Sequence, residues 1–131
     1  MNVGSKDDYI NYRFHRAEES FQEAIILADN KRWNAVINRL YYSCFYSVIA
    51  LLLKNNIKVQ THEGARLQFG LQFVKGGTID KRFGKLYTKL FDYRQKGDYG
   101  DLYDFDEEMT KPLINSVREF LDEIRKNITL P

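Results

Sequence analysis

The sequence predicts an all-α fold, a compact bundle of four to five antiparallel helices, on three observations. Apolar residues recur at spacings of three and four in five separate segments. Only two prolines occur in 131 residues, Pro112 and Pro131, which suits helices joined by short turns. The one stretch that reads as extended is 57–60, and four residues do not make a sheet. A chain of 131 residues suits one domain, 1–131, with a core large enough to need no staples.

The first helix is expected over 6–28. Ser5 caps it and Asp8, three residues on, completes a capping box. Ile10, Phe14, Ala17, Phe21, Ala24, Ile25 and Ala28 form its apolar stripe. Asp29–Asn30 make the turn, with Asn30 the expected cap of a second helix over 31–55. Trp33, Val36, Ile37, Leu40, Cys44, Val48 and Leu51 line its inward face. Past Leu40 nearly every position is apolar or aromatic, as in a central helix packed on several sides. Thr61 caps a third helix over 61–74, with Leu67, Leu71 and Val74 along one side, joined by Phe69 and Phe73. Gly64 and Gly70 weaken it and Lys75–Thr78 end it. The fourth helix spans about 80–97 and fades at Gly97. The fifth spans 106–128, with Asp106, Glu107 and Glu108 at its positive end and Pro112 expected within the first turn or so, where a missing N–H costs little.

Composition excludes several classes. At 44% apolar residues the chain is not of disordered composition. One cysteine, Cys44, within an apolar run, argues against a disulfide framework and fits a reducing compartment. The N-terminus carries no hydrophobic leader, and no run approaches the length of a membrane span, so a cytoplasmic location with no membrane contact is expected. Charge is uneven. Residues 1–90 carry fourteen Lys and Arg against eight Asp and Glu, whereas 91–108 carry two against seven. This is weaker than a nucleic-acid-binding footprint, and the acidic tract at 101–108 is either a solvated surface or a partner surface.

Two constellations have the residue types for chemistry. Asn38, Tyr42 and Tyr46 are spaced by four and share a helix face, and Arg39 reaches the same side on its long stem. They either line a groove or are half-buried packing residues with their hydroxyls at the rim. The second is FDYRQKGDYGD at 91–101. Arg94 offers a planar fork of donors suited to phosphate or carboxylate. Asp98, four residues on, is placed for an intrahelical salt bridge that would also hold Arg94 in one rotamer. Tyr99 follows it, and Gly97 and Gly100 would let the backbone turn close to a ligand.

The two histidines read as surface groups: His15 lies among charged residues, and His62 follows a helix cap. His62 has the pKa of a general base, but a surface or capping role is expected for it. No spacing of His and Cys supplies a zinc ligand set, no phosphate-binding glycine loop follows a strand, and no serine sits in a nucleophile elbow. No metal and no cofactor is expected.

The ordered words RAEESFQEA, NRLYYSCFY, THEGARLQF and RQKGDYGD, at these separations, resemble the HEPN domain (higher eukaryotes and prokaryotes nucleotide-binding), in particular its small stand-alone prokaryotic members. The resemblance covers nearly the whole chain. It implies a bundle of four or five helices, commonly a two-fold dimer, and often the toxin half of a pair with a minimal nucleotidyltransferase. Many such domains are metal-independent ribonucleases whose site is an arginine followed after four to six residues by a histidine, two sites facing each other across the dimer groove. Arg94 matches that arginine, and Asn38 and Tyr42 match polar positions beside it. The histidine window falls on Tyr99, Gly100 and Asp101, none a histidine. The string from Arg94 to Asp98–Tyr99 resembles instead a subgroup carrying RxxxDY. Tyrosine is a poor base near neutrality, and a carboxylate beside a phosphate meets like charge unless Arg94 offsets it.

The resemblance therefore implies nucleotide or RNA-phosphate binding through Arg94, Arg39, Asn38 and Tyr42, in a homodimer paired with a nucleotidyltransferase. One alternative is an unconventional metal-independent ribonuclease using Arg94, Asp98 and Tyr99. The other is a protein-interaction module with no ligand of its own, for which the acidic tract and the many tyrosines are suited.

Overall fold

The computed structural model describes residues 5–99 and 104–129, and at Tyr99 the backbone alone. Among the described residues there are five α-helices and no strand: α1 Lys6–Asp29, α2 Trp33–Lys54, α3 His62–Phe69, α4 Lys81–Tyr99 and α5 Glu107–Ile128. A π-helical turn, Gly70–Val74, continues α3.

The capping box of α1 is formed as expected. Ser5 Oγ accepts from Asp8 N at 3.2 Å and Asp8 Oδ2 accepts from Ser5 N at 3.1 Å. The start of α2 differs from the sequence reading. Asn30 does not cap it; its side-chain amide turns back and donates to Ile26 O at 2.9 Å, closing α1. Lys31 takes a left-handed φ of 57°, and α2 begins two residues late, at Trp33, with no side-chain cap.

α2 is the central element, packed against α1, α3, α4 and α5. Val36, Ile37, Leu40, Cys44, Val48 and Leu51 are buried as expected, and Tyr41, Ala50 and Leu52 join them. Its buried hydroxyls are satisfied: Ser43 donates to Ala17 O at 2.9 Å and Ser47 to Cys44 O at 2.7 Å. By length and composition α2 is apolar enough to cross a membrane, contrary to the sequence reading. Most of that segment is nevertheless buried against the other helices, as in a core helix.

Thr61 caps α3, its Oγ1 accepting from Gly64 N at 2.8 Å. The single helix expected over 61–74 is divided: beyond Phe69 the backbone widens, and Lys75 N donates to Gly70 O at 2.8 Å, five residues back. Of the apolar residues read along this helix, the phenylalanines face inward and two of the leucines do not. Ala65, Phe69 and Phe73 are buried, while Leu67 and Leu71 are 48% and 53% exposed. Phe69 wins the inner position because its ring meets those of Tyr87 and Phe120, both at 5.6 Å, and a phenylalanine buries more apolar area than a leucine.

Asp80 Oδ1 accepts from Arg82 N at 2.8 Å at the start of α4, which runs through Gly97 to Tyr99. Gly97 is not a helix breaker here: a Cβ on it would lie 3.3 Å from the ring of Phe105, so the missing side chain makes room for the chain entering α5. Asp106 caps α5 through Met109 N at 2.9 Å. Pro112 lies in the second turn, beyond the first-turn position expected, yet α5 is continuous. The ring faces solvent, as does Glu108, whose carbonyl loses its partner, so water can serve that carbonyl.

The helices are also tied electrostatically. Glu18 on α1 accepts two bonds of 2.8 Å from the Arg118 fork and one of 2.7 Å from Arg125, both on α5. The Arg118 bond, working against desolvation, holds the Glu18 carboxyl below the usual glutamate range. A carboxyl whose pKa is lowered by folding stabilises the fold above its unfolded pKa and loses that contribution as pH falls through the folded value. Glu18→Gln should therefore cost about 1–2 kcal/mol near pH 7. The difference from wild type should shrink toward zero as urea melts are repeated at falling pH below 4.5.

Candidate functional site

The site is assembled where α2, the start of α3 and the end of α4 meet. On α2, Asn38, Tyr42 and Tyr46 share the outer face at spacings of four, and Tyr41 and Phe45 form the adjoining stripe, turned toward α3 and α4. Tyr41 is fully buried; Tyr42, Phe45 and Tyr46 are half-buried.

Arg94 projects from α4 into this aromatic surface. Its side chain is only 11% exposed. The guanidinium carbon lies 4.9 Å from the Tyr41 ring centre and 5.7 Å from that of Tyr42, and Nη1 donates to Tyr42 Oη at 3.2 Å. The expected i,i+4 ion pair with Asp98 is present at 3.6 Å, with Asp98 35% exposed. Arg94 Nε is buried with no hydrogen-bond partner among the described residues. Arg118, by contrast, has its fork filled by Glu18.

Arg39 also stands against Tyr42, 5.1 Å from the ring centre. It donates to Asn38 Oδ1 from Nε at 3.1 Å and from Nη2 at 2.9 Å, and to Glu23 at 3.1 Å from Nη1. Arg39 and Asn38 thus form one unit at the rim. Arg16 of α1 adds a third cation, 5.4 Å above the Tyr46 ring. The result is an aromatic strip on α2 flanked by guanidinium groups from three helices, able to neutralise anionic oxygens and to offer ring faces for stacking.

His62, weighed as a base but expected in a surface or capping role, is placed by the structure against the site. The first residue of α3, it is half-buried against the site: its ring stacks on Phe45 at 4.2 Å between centres and 15° between planes. Nδ1 is hydrogen-bonded to the Tyr41 hydroxyl at 2.7 Å. Burial, and then the charge of Arg94, push the imidazole pKa below its usual value. Burial likewise pushes the phenol of Tyr41 far up, partly offset by Arg94. Behind Tyr41, the buried hydroxyl of Tyr87 makes no hydrogen bond of normal geometry, though it interacts electrostatically with Tyr41. No local pattern marks His62, because its contacts with Tyr41 and Phe45 are made across the turn between α2 and α3.

The structure brings Arg94, Tyr42, Arg39, Asn38 and Asp98 together as the sequence reading grouped them. The side chain of Tyr99, and Gly100 and Asp101 of the histidine window, lie outside the described residues. Of the acidic tract, Asp104 accepts from Asn34 Nδ2 at 3.2 Å, and Phe105 N donates to Asn34 Oδ1 at 2.8 Å, anchoring the approach to α5 on α2. Among the described residues no group of three or more His, Cys, Asp or Glu side chains is placed to hold a metal ion. A separate groove of about 510 Å³, lined by Gly70, Val74, Gly84 and the lysine row Lys81, Lys85, Lys89, does not reach Arg94.

A five-helix bundle with an arginine held by aromatic rings at the end of its fourth helix defines the class, and comparison with known proteins places the chain within it. The family model described as the HEPN domain matches residues 10–127, and the chain belongs to that family. It is 40% identical to a Thermotoga maritima protein named "UPF0332 protein", over 96% of each chain. It is 37% identical to a Methanocaldococcus jannaschii protein named "Putative toxin", over 84% of this chain and 81% of that one. A second protein of that name from the same organism is 29% identical over 85% of this chain and 76% of the relative.

Proposed function

We propose that this HEPN protein binds the phosphate of RNA or of a nucleotide at Arg94, with Tyr42, Arg39 and Asn38 completing the site. The reading extends to a toxin-like role beside a minimal nucleotidyltransferase in the cytoplasm, as a two-fold dimer that sets two such sites on one groove. The relatives named as toxins support the role. The observation that carries the binding is the state of Arg94. It is the guanidinium most withdrawn from solvent among the ion-paired arginines, yet among the described residues its close hydrogen bond is to the Tyr42 hydroxyl and its carboxylate stands off at 3.6 Å. A cation held in low dielectric with donor capacity to spare favours an incoming anion more strongly than a solvated one.

Fluorescence anisotropy with a short unstructured RNA tests this. Arg94→Ala should weaken binding about 10-fold or more, the scale of one charge-assisted contact. Unchanged binding in a folded Arg94→Ala protein would remove Arg94 from the site.

A further inference from the structure

We propose that the groove between the π-helical turn after α3 and the first part of α4 is a docking surface for an acidic amphipathic helix of a second protein. The apolar stripe of that helix sits on the groove floor, and its carboxylates pair with Lys81, Lys85 and Lys89. The surface is separate from the Arg94 site and does not depend on what that site binds.

The groove has two unlike edges. Along α4, Lys81, Lys85 and Lys89 recur at spacings of four and form one row about 12 Å long. All three are exposed, and none pairs with a carboxylate among the described residues. Lys111 and Lys126, by contrast, have carboxylates on their own helix. Asp92, which also lines the groove, interacts electrostatically with Arg66, so the lysine row keeps its charge unopposed. Along α3 and the turn, Leu67 and Leu71 stand half-exposed, also four apart. A smaller hollow of about 200 Å³ beside them shares Gly70, Gly84 and Thr88 with the groove of about 510 Å³. A basic edge and an apolar edge therefore bound one continuous furrow.

The floor contains a glycine that the fold does not need. Gly84 serves packing: a Cβ on it would lie 3.1 and 3.3 Å from the Val74 methyl carbons, so its absence lets α4 settle on the turn. Gly70 is different. Its φ of −62° and ψ of −46° are ordinary helical values, and a Cβ there would meet nothing within 4 Å. Glycine within a helix costs stability relative to a straight-chain residue, and at this position it leaves open space rather than a close approach. The π turn that it begins widens the backbone beside that space, a distortion frequent at functional sites. An apolar floor between a cationic row and half-exposed leucines fits a helix whose leucine stripe is bordered by Glu or Asp at spacings of four. It suits RNA poorly, because the rings of Phe69 and Tyr87 that line it are buried and offer no face for a base to stack on.

The test uses the full chain and a fluorescein-labelled peptide of about 18 residues, long enough to hold a helix. The peptide carries leucines at spacings of three and four and glutamates along one edge; its twin has lysines in place of the glutamates. Anisotropy should show saturable binding of the acidic peptide, weakening as salt rises, and no binding of the twin. Lys81→Glu combined with Lys85→Glu should weaken binding about 10-fold or more. Gly70→Leu, which fills the open space, should weaken it as much while its melting temperature stays at or above that of wild type. Arg94→Ala should leave the peptide affinity unchanged. No binding of the acidic peptide by wild type, equal binding of both peptides, or full affinity in Gly70→Leu overturns the inference. Loss of peptide binding in Arg94→Ala would seat the peptide at the other site and overturns it too. Loss of affinity for a short RNA in Gly70→Leu would make the furrow a nucleic-acid groove, with the same consequence.

Discussion

Phe120→Ala should be the most damaging single truncation in the bundle, costing about 3–5 kcal/mol. Phe120 is fully buried on α5, and its ring centre lies 5.6 Å from Phe69, 5.9 Å from Phe83 and 6.0 Å from Tyr87. It is where α5, α3 and α4 meet, so no single helix can shift to fill the space without disturbing the other two. A domain of this size has roughly 5–15 kcal/mol to lose, so the urea midpoint should fall by a third or more. Leu71→Ala is the matched control. Leu71 is 53% exposed on the turn after α3, and its truncation should change stability by no more than about 0.5 kcal/mol. If Leu71→Ala proved the costlier of the two, Leu71 rather than Phe69 would face the core.

The division between the leucines and phenylalanines of α3 illustrates what a sequence carries and what it does not. α1 was legible because its stripe and its capping box are local: Ser5 and Asp8 find each other three residues apart whatever the rest of the chain does. α2 was legible as the central helix because it is apolar nearly all round. α3 offered two apolar stripes, one of leucines and one of phenylalanines, and periodicity alone does not rank them. The choice was made by Tyr87 and Phe120, aromatic residues far along the chain. Asn30 had the residue type of a cap, but a left-handed Lys31 let its amide close α1. Gly97 looked like a helix end and proved to be the space that Phe105 needs.

The site divides in the same way. The column of Asn38, Tyr42 and Tyr46 and the Arg94–Asp98 pair are set by helical spacing within one element, and both were legible. The meeting of the two constellations, through the Arg94–Tyr42 bond, is a contact between helices 52 residues apart in sequence. The place of His62 depends on how the turn at 55–61 returns the chain against Tyr41 and Phe45, which no residue pattern in that turn announces.

Arg94→Met should separate binding from folding. An arginine that exists for the fold would be matched by its partners, as Arg118 is by Glu18, and its loss would leave a carboxylate that is only 24% exposed with Arg125 as its remaining cation. Arg94 is not matched in that way. Its Nε is buried without a partner among the described residues, and the side chains it would leave behind, Tyr42 and Asp98, are both only partly buried. Replacing such a charge by an unbranched apolar side chain of similar reach removes a desolvation cost while keeping contact with the Tyr41 and Tyr42 rings. Thermal melts should therefore place Arg94→Met within about 1 kcal/mol of wild type or above it. RNA binding should meanwhile fall about 10- to 100-fold, with roughly one unit lost from the slope of log affinity against log salt. Arg118→Met should do the opposite, lowering the melting temperature and leaving RNA affinity alone. A large loss of stability in Arg94→Met would mean that the guanidinium is a strut between α2 and α4, and that the aromatic strip it occupies was built to bury it. Retained stability with lost binding would mean that the fold tolerates an awkward buried cation because a phosphate completes it.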